Sequence, residues 1–154
     1  MTIQAKTWRT PLLIMIAGCT ILTLSMGVRH TAGLFLQPMT ADLAWSRETF
    51  SFAIALQNLV WGLASPFAGA FADRYGAGRT ILAAGILYVL GLLLMSQAAT
   101  PLAFDLSAGV LIGLGLSGTS FSVLLGAVGR AAPVEQRSMA MGIAAAAGSF
   151  GQFA

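Results

Sequence analysis

Charge is what this sequence has least of. Only 8% of its 154 residues are Asp, Glu, Lys or Arg, about a third of the fraction usual in a soluble domain, and that scarcity excludes an ordinary water-exposed fold. Cysteine is nearly absent: Cys19 stands alone, so neither a disulfide framework nor a cysteine-based metal cluster can be built. It reads as a small packing residue. A single histidine and five scattered carboxylates supply no Ser-His-Asp set, no histidine cluster and no carboxylate pair at one depth, and catalytic and metal chemistry are left without a constellation. The net charge of +3 comes from cations placed singly rather than in a patch, which argues against nucleic acid as a partner.

Long apolar runs are what the chain has instead. With 57% hydrophobic residues it reads as an all-α integral membrane protein whose partner is the lipid bilayer, and a hydrocarbon core about 30 Å thick needs roughly 20 helical residues per crossing. Five spans are expected, at about 11–37, 46–71, 80–98, 104–128 and 139–154. The first is too long for a signal peptide and contains Arg29. The fifth reads as cut off within a helix, leaving the chain a fragment. The glycine-rich faces of spans one, two, four and five are then expected to lack their partners.

The most informative stretch is a wet hairpin between spans two and three. No charged residue lies between Glu48 and Asp73, or between Arg79 and Asp105, yet Asp73, Arg74 and Arg79 crowd into one turn. Lys6 and Arg9 precede span one, and Arg130 and Arg137 follow span four. Connections at the opposite ends, 38–45 and 99–101, have no lysine or arginine, with Arg47 just inside span two. Because cations near span ends are retained inside the cell, the amino terminus is expected in the cytoplasm. Ser46 with Glu48 signals a capped start for span two, Pro66 a bend near its inner end, and Asp105 the start of span four.

Arg29 and His30 are the unusual pair, since an ionisable residue within a span normally faces a cavity or a partner. One row of the first helix runs through Cys19, Thr23, Met26, His30, Gly33 and Gln37, with Gly18, Ser25 and Arg29 beside it. Ile14, Ala17, Ile21, Leu24, Val28 and Phe35 form the other side. A cavity-lining Arg29 would attract an anion; the competing arrangement ends the span at Val28 and lets the arginine snorkel to the headgroups. Gln57 and Asn58 are amides at membrane depth, suited to interhelical hydrogen bonds or to a substrate path. Span four carries Ser117, Thr119, Ser120 and Ser122 among five glycines. Its Gly113-Leu-Gly-Leu-Ser-Gly118 segment matches a dinucleotide-binding pattern, but follows no strand and is rejected as such.

Gly69-x-x-Ala-Asp73-Arg74-x-Gly76, followed by Arg79, resembles the signature between helices two and three of the major facilitator superfamily. Gly33-Leu-Phe-Leu-Gln-Pro38, Trp45-Ser-Arg47, Gly113-Leu-Gly115 and Gly142-Ile-Ala-Ala-Ala-Ala-Gly148 are similar to its bacterial monocarboxylate and oxalate/formate-like branch. The resemblance implies most of the first six-helix half of a twelve-helix secondary carrier in a bacterial inner membrane, lacking its carboxyl-terminal half. It implies that Gly69, Asp73, Arg74, Gly76 and Arg79 form a conformational-switch motif on the cytoplasmic side. Helices one and four would line the path, making Arg29, His30, Ser117, Thr119 and Ser120 candidate path residues, with Asn58 added from span two as an amide at membrane depth. The expected cargo is a small organic anion, a mono- or dicarboxylate, moved by alternating access with a coupling proton or a counter-substrate and no cofactor. Three departures stand out: Gly78 replaces a basic residue of the turn, Gly109 the arginine many members carry in helix four, and helix five lacks the Gly-Pro pair of drug antiporters. The alternatives are a carrier of neutral solutes or drugs and a non-transporting membrane scaffold.

A cysteine introduced at Gly78 on a Cys19→Ser background should react with a membrane-impermeant maleimide in inside-out vesicles and not in intact cells. Labelling of intact cells would reverse the orientation.

Overall fold

The computed structural model describes residues 11–35, 37 and 45–153. Lys6, Arg9 and most of the connection 38–45 lie outside the described residues. Helix α1 runs Pro11–Thr31 and is extended by a 3-10 turn, Ala32–Phe35; α2 runs Arg47–Tyr75 and α3 Ala77–Ser96. The fourth crossing is composite: α4 Pro101–Phe104, a π-helical turn Asp105–Leu111, α5 Ile112–Gly118 and α6 Phe121–Ala131. A short 3-10 turn, Val134–Gln136, leads into α7, Arg137–Phe153. No strand occurs among the described residues. Among the described residues four stretches are long and apolar enough to cross a membrane: Leu12–Thr31, Arg47–Tyr75, Ala77–Ser96 and Pro101–Ala131. The chain is therefore a multi-pass helical membrane protein, as composition predicted.

Local chemistry sets the helix ends. The Ser46 hydroxyl accepts from the Thr49 N–H at 3.3 Å, capping α2 with Glu48 in its first turn. At the other end Gly76 adopts φ 93°, a conformation that glycine tolerates without a Cβ penalty, and its N–H closes on the Ala72 carbonyl at 3.0 Å. The chain thus turns from α2 into α3 through one residue. Helix α2 runs unbroken through Pro66, whose missing N–H leaves the Gly62 carbonyl without its intrahelical donor.

The fourth crossing departs from expectation twice. It begins at Pro101, under a Thr100 cap that accepts from the Ala103 N–H at 3.3 Å, so Asp105 lies one turn inside rather than at the start. It is also not one helix: Thr119 and Ser120 leave helical geometry, with Ser120 at φ −73° and ψ 164°. A break within a span frees carbonyls that lipid cannot satisfy. The Ser120 hydroxyl answers one of them, donating to the Ser117 carbonyl at 2.7 Å, while Thr119 adds its hydroxyl to the Gly115 carbonyl at 3.0 Å, which its own N–H already reaches, and Ser117 donates to that of Leu114 at 2.7 Å.

This crossing is the core of the bundle. About 67% of its most apolar stretch is buried, against 11–22% for the other three, so they wrap it. Its glycines serve two opposite contacts: Gly109 and Gly113 meet Leu56, Gln57 and Val60 of α2, and Gly115 and Gly118 meet Tyr88, Ala84 and Thr80 of α3. Small residues let backbones approach at this distance. The Gly113–Gly118 pattern is packing chemistry.

Helices α1 and α7 form a second tight pair. Gly151 lies against the Thr23 backbone and Gly27 against the Gly151 carbonyl, and the Thr23 hydroxyl donates across to the Ala147 carbonyl at 2.9 Å. Leu22, Leu124, Val128, Ala140 and Ala144 fill the space between this pair and α6. Leu22, which belongs to neither row drawn on the helical wheel, is fully buried. The expectation that the glycine faces of spans one, four and five lack partners is thus corrected: Gly27 of span one and Gly151 of span five meet across their seam, and Gly109, Gly113, Gly115 and Gly118 of span four pack on α2 and α3, while Gly62, Gly69 and Gly142 stay open. Cys19 is a packing residue at the edge of that cluster.

Gly151→Ala would drive a methyl into the Thr23 backbone and should cost roughly 1–3 kcal/mol. Gly85→Ala, the same change where nothing approaches, should leave stability unchanged or raised. Thermal unfolding of the detergent-solubilised chain checks the pair.

Candidate functional site

Arg29 sits in the last turn of α1, where the side chain leans toward α2. Its Nη2 donates to Asn58 Oδ1 at 2.5 Å, and its Cζ lies 4.7 Å from the centroid of the Trp61 ring. Asn58 and Trp61 are three residues apart and so share one face of α2. The Asn58 amide is oriented by its own helix, since Nδ2 donates to the Ile54 carbonyl at 2.9 Å and thereby turns Oδ1 toward the guanidinium. An arginine held by an amide oxygen and a π-face is positioned without being neutralised. Among the described residues the single ion pair is Asp73–Arg130, so the cation at Arg29 keeps its charge for another anion.

Beside Arg29 lies a cavity of about 90 Å³ between α1, α2, α3 and the fourth crossing. Phe50, Gln57, Tyr88 and Phe104 contribute to its wall, which is otherwise largely aliphatic. Gln57 is 4% exposed and spans to the fourth crossing, where Nε2 donates to the Ala108 carbonyl at 2.9 Å. Tyr88 is buried by Ile112 and Leu116 and donates its hydroxyl to the Ser25 carbonyl at 3.3 Å. A concave apolar chamber with a few convergent polar groups and one cation is the common form of a small-molecule site.

Of the path residues read from sequence, the structure brings Arg29 and Asn58 together and leaves the others elsewhere. His30 is exposed and outside the cavity wall. Ser117, Thr119 and Ser120 are buried at 4–5% exposure, but they turn onto carbonyls of their own crossing at the helix break rather than into the cavity. Sequence reading missed Trp61 and Tyr88. Trp61 was detectable as the aromatic one turn beyond Asn58, whereas nothing local distinguishes Tyr88 within its apolar run.

The charged hairpin forms a separate constellation at the far end of the bundle. Arg130 Nη1 lies 3.3 Å from Asp73 Oδ1, tying the end of α2 to the end of α6. Both groups are more than half exposed, and exposed pairs of this kind contribute about 1 kcal/mol at most. Arg74 stacks over the neighbouring Tyr75 ring at 5.5 Å, Arg79 is exposed, Gly76 makes the turn, and nothing approaches Gly69. Sequence reading had placed Arg130 only in the connection after span four; only the fold shows that it meets Asp73.

Comparison with known proteins agrees with this architecture. The profile of the Major Facilitator Superfamily matches residues 8–154. An Escherichia coli protein titled uncharacterized MFS-type transporter YhjX is 32% identical over 72% of this chain and 26% of its own length. The mouse protein titled monocarboxylate transporter 11 is 31% identical over 79% of this chain and 27% of its own. Multidrug resistance protein MdtH of Blochmanniella pennsylvanica is 38% identical over 43% of this chain and 16% of its own. The chain thus spans about a quarter or less of the length of the curated relatives it matches. With its wet Asp73 hairpin, its apolar helices wrapped around a glycine-rich fourth crossing and a family match over nearly its whole length, the chain belongs to the Major Facilitator Superfamily.

Proposed function

We propose that this chain is part of a secondary carrier that moves a small organic anion, a mono- or dicarboxylate, across a bacterial inner membrane by alternating access. The observation that carries this reading is Arg29: a half-buried cation on the wall of a partly open cavity, held by Asn58 and Trp61 and paired with no described carboxylate. An anion entering the cavity would exchange hydration for a charge-assisted, bidentate contact with the guanidinium. Asn58 and Trp61 would hold that guanidinium in place, so little side-chain entropy remains to be lost on binding.

The similarity to a protein titled monocarboxylate transporter supports the same class of cargo. In carriers of this architecture the substrate lies near the bilayer midplane between two helix bundles. This chain would supply the charged wall, and a second half would close the cavity. The Asp73–Arg130 pair at the opposite end is weak enough to break and re-form in each cycle, which suits a latch between two states. With Asp73 and Arg130 on the cytoplasmic side, the latch would steady the state whose inner end is closed.

In liposomes containing the full-length carrier, Arg29→Gln should lower carboxylate uptake at least tenfold, while Arg29→Lys retains part of it. Uptake of every carboxylate at wild-type rates by Arg29→Gln would remove Arg29 as the anion site. Asp73→Asn should leave the affinity for cargo unaltered and change the maximal rate, because it touches the latch and not the cavity.

A further inference from the structure

The fourth crossing changes partners where it breaks. Before Thr119 its glycines lie against neighbouring helices on two sides, Gly109 and Gly113 on α2, Gly115 and Gly118 on α3. After Ser120 the contacts are with α1 and α7: the Phe121 ring meets Gly148, and Leu124 and Val128 share a core with Leu22 and Ala140. The described helices therefore fall into two sub-bundles, α2 and α3 with the part of the crossing before the break, and α1 and α7 with α6. Among the described residues every close glycine contact between helices lies inside one sub-bundle or the other.

The seam between them is fastened differently. At the Trp45 end Arg29 of α1 is held by Asn58 and Trp61 of α2, and the Tyr88 hydroxyl of α3 donates to the Ser25 carbonyl of α1 at 3.3 Å. At the hairpin end Asp73 of α2 meets Arg130 of α6 in an exposed pair, and Ile81 of α3 adds an apolar contact to the α1–α6–α7 core. Polar side-chain contacts of this kind exchange partners readily, whereas interlocked backbones do not.

The break itself is built to turn. The Thr119 N–H belongs to the ladder behind it, reaching the Gly115 carbonyl at 3.2 Å, and the Ser120 carbonyl to the ladder ahead, accepting from the Leu124 N–H at 3.1 Å. Between the two ladders Ser120 is extended, with ψ 164°. Its hydroxyl donates back to the Ser117 carbonyl at 2.7 Å and also lies 2.8 Å from the Ser122 hydroxyl ahead, so a partner stays within reach as the angle changes. Element-terminal residues of this sort absorb the φ/ψ change of a hinge.

We propose that Thr119–Ser120 is a joint on which the two sub-bundles pivot, with the Asp73–Arg130 pair opening as they do. Both sub-bundles contribute to the wall of the Arg29 cavity, Val28 and Arg29 from one and Gln57 and Tyr88 from the other, and the pivot therefore changes its width. The inference extends the carrier reading given above by placing motion inside this chain, where a carrier rocking as rigid halves would have none. It does not need the anion site at Arg29.

Distances between paired spin labels in the full-length carrier, on a Cys19→Ser background and with no cargo added, test the joint. Gly78→Cys with Ser138→Cys spans the seam, Leu106→Cys with Val134→Cys follows the bend of the fourth crossing, and Ile16→Cys with Phe150→Cys stays inside one sub-bundle. The first two pairs should each show two distances, and Asp73→Asn should shift their ratio by about two- to fivefold, the range an exposed ion pair can supply. The third pair should keep one distance throughout. A single distance for the seam pair in both proteins overturns the proposal, as does a seam pair that moves while the crossing pair does not, or movement of all three together. Each of those outcomes leaves the carrier reading standing with this part moving as one body, and Arg29→Gln, which tests the cargo site, leaves the distances unchanged in kind.

Discussion

The fold depends on how closely two helix backbones can approach inside hydrocarbon. Lipid tails are as apolar as leucine, so no hydrophobic gain drives helices together there, and association must come from van der Waals contact and interhelical hydrogen bonds. The fourth crossing meets that requirement on two faces at once. Gly109 and Gly113 admit α2, Gly115 and Gly118 admit α3, and the crossing becomes the most buried element of the chain. The α1–α7 seam repeats the device with Gly27, Gly148 and Gly151.

Close packing of this kind has a cost in regularity, and the irregularities are where the polar chemistry gathers. The π-turn over Asp105–Leu111 exposes the Ala108 carbonyl to Gln57, and at the Thr119–Ser120 break the Ser120 hydroxyl takes up the Ser117 carbonyl. Both are solutions to one problem, since each backbone group freed at membrane depth must find a partner within the protein. They differ in outcome. The break consumes its hydroxyls entirely in local repair, whereas the π-turn hands one bond to a side chain that also borders the Arg29 cavity. Helix termini and an amide thus connect the packing of the core to the electrostatics of the site.

The two ends of the bundle carry unlike electrostatics. Near the Trp45 end a half-buried arginine is held by neutral groups and retains its field, while at the hairpin end Asp73 and Arg130 meet in an exposed pair. A half-buried cation beside low-dielectric walls acts more strongly on an entering anion than one in open water; an exposed pair is screened and contributes little to holding the bundle together. One arrangement suits binding and the other suits reversible contact.

Much of this was legible in the residues themselves. Apolar length and the isolated charges at 73–79 marked a helical membrane protein with an exposed turn between α2 and α3, because the cost of burying a charge in lipid is large and acts residue by residue. Ser46 and Gly76 announced the ends of α2 for equally local reasons, a side-chain cap and a positive φ. The site was legible only in part: Arg29, Gln57 and Asn58 were singled out, but Tyr88 joined the cavity wall and Trp61 met the Arg29 guanidinium only through the packing of α1, α2, α3 and the fourth crossing, and Arg130 reached Asp73 across 57 residues of chain. The serines and threonine of the fourth crossing donate to carbonyls of that same crossing, which composition could not show, because it gives the presence of a hydroxyl and not which carbonyl lies beside it. Where the chain enters lipid was decided by sequence alone, since solvation is a property of each segment; which polar atoms face a common cavity was decided by the tertiary fold, since that is a property of helices brought together.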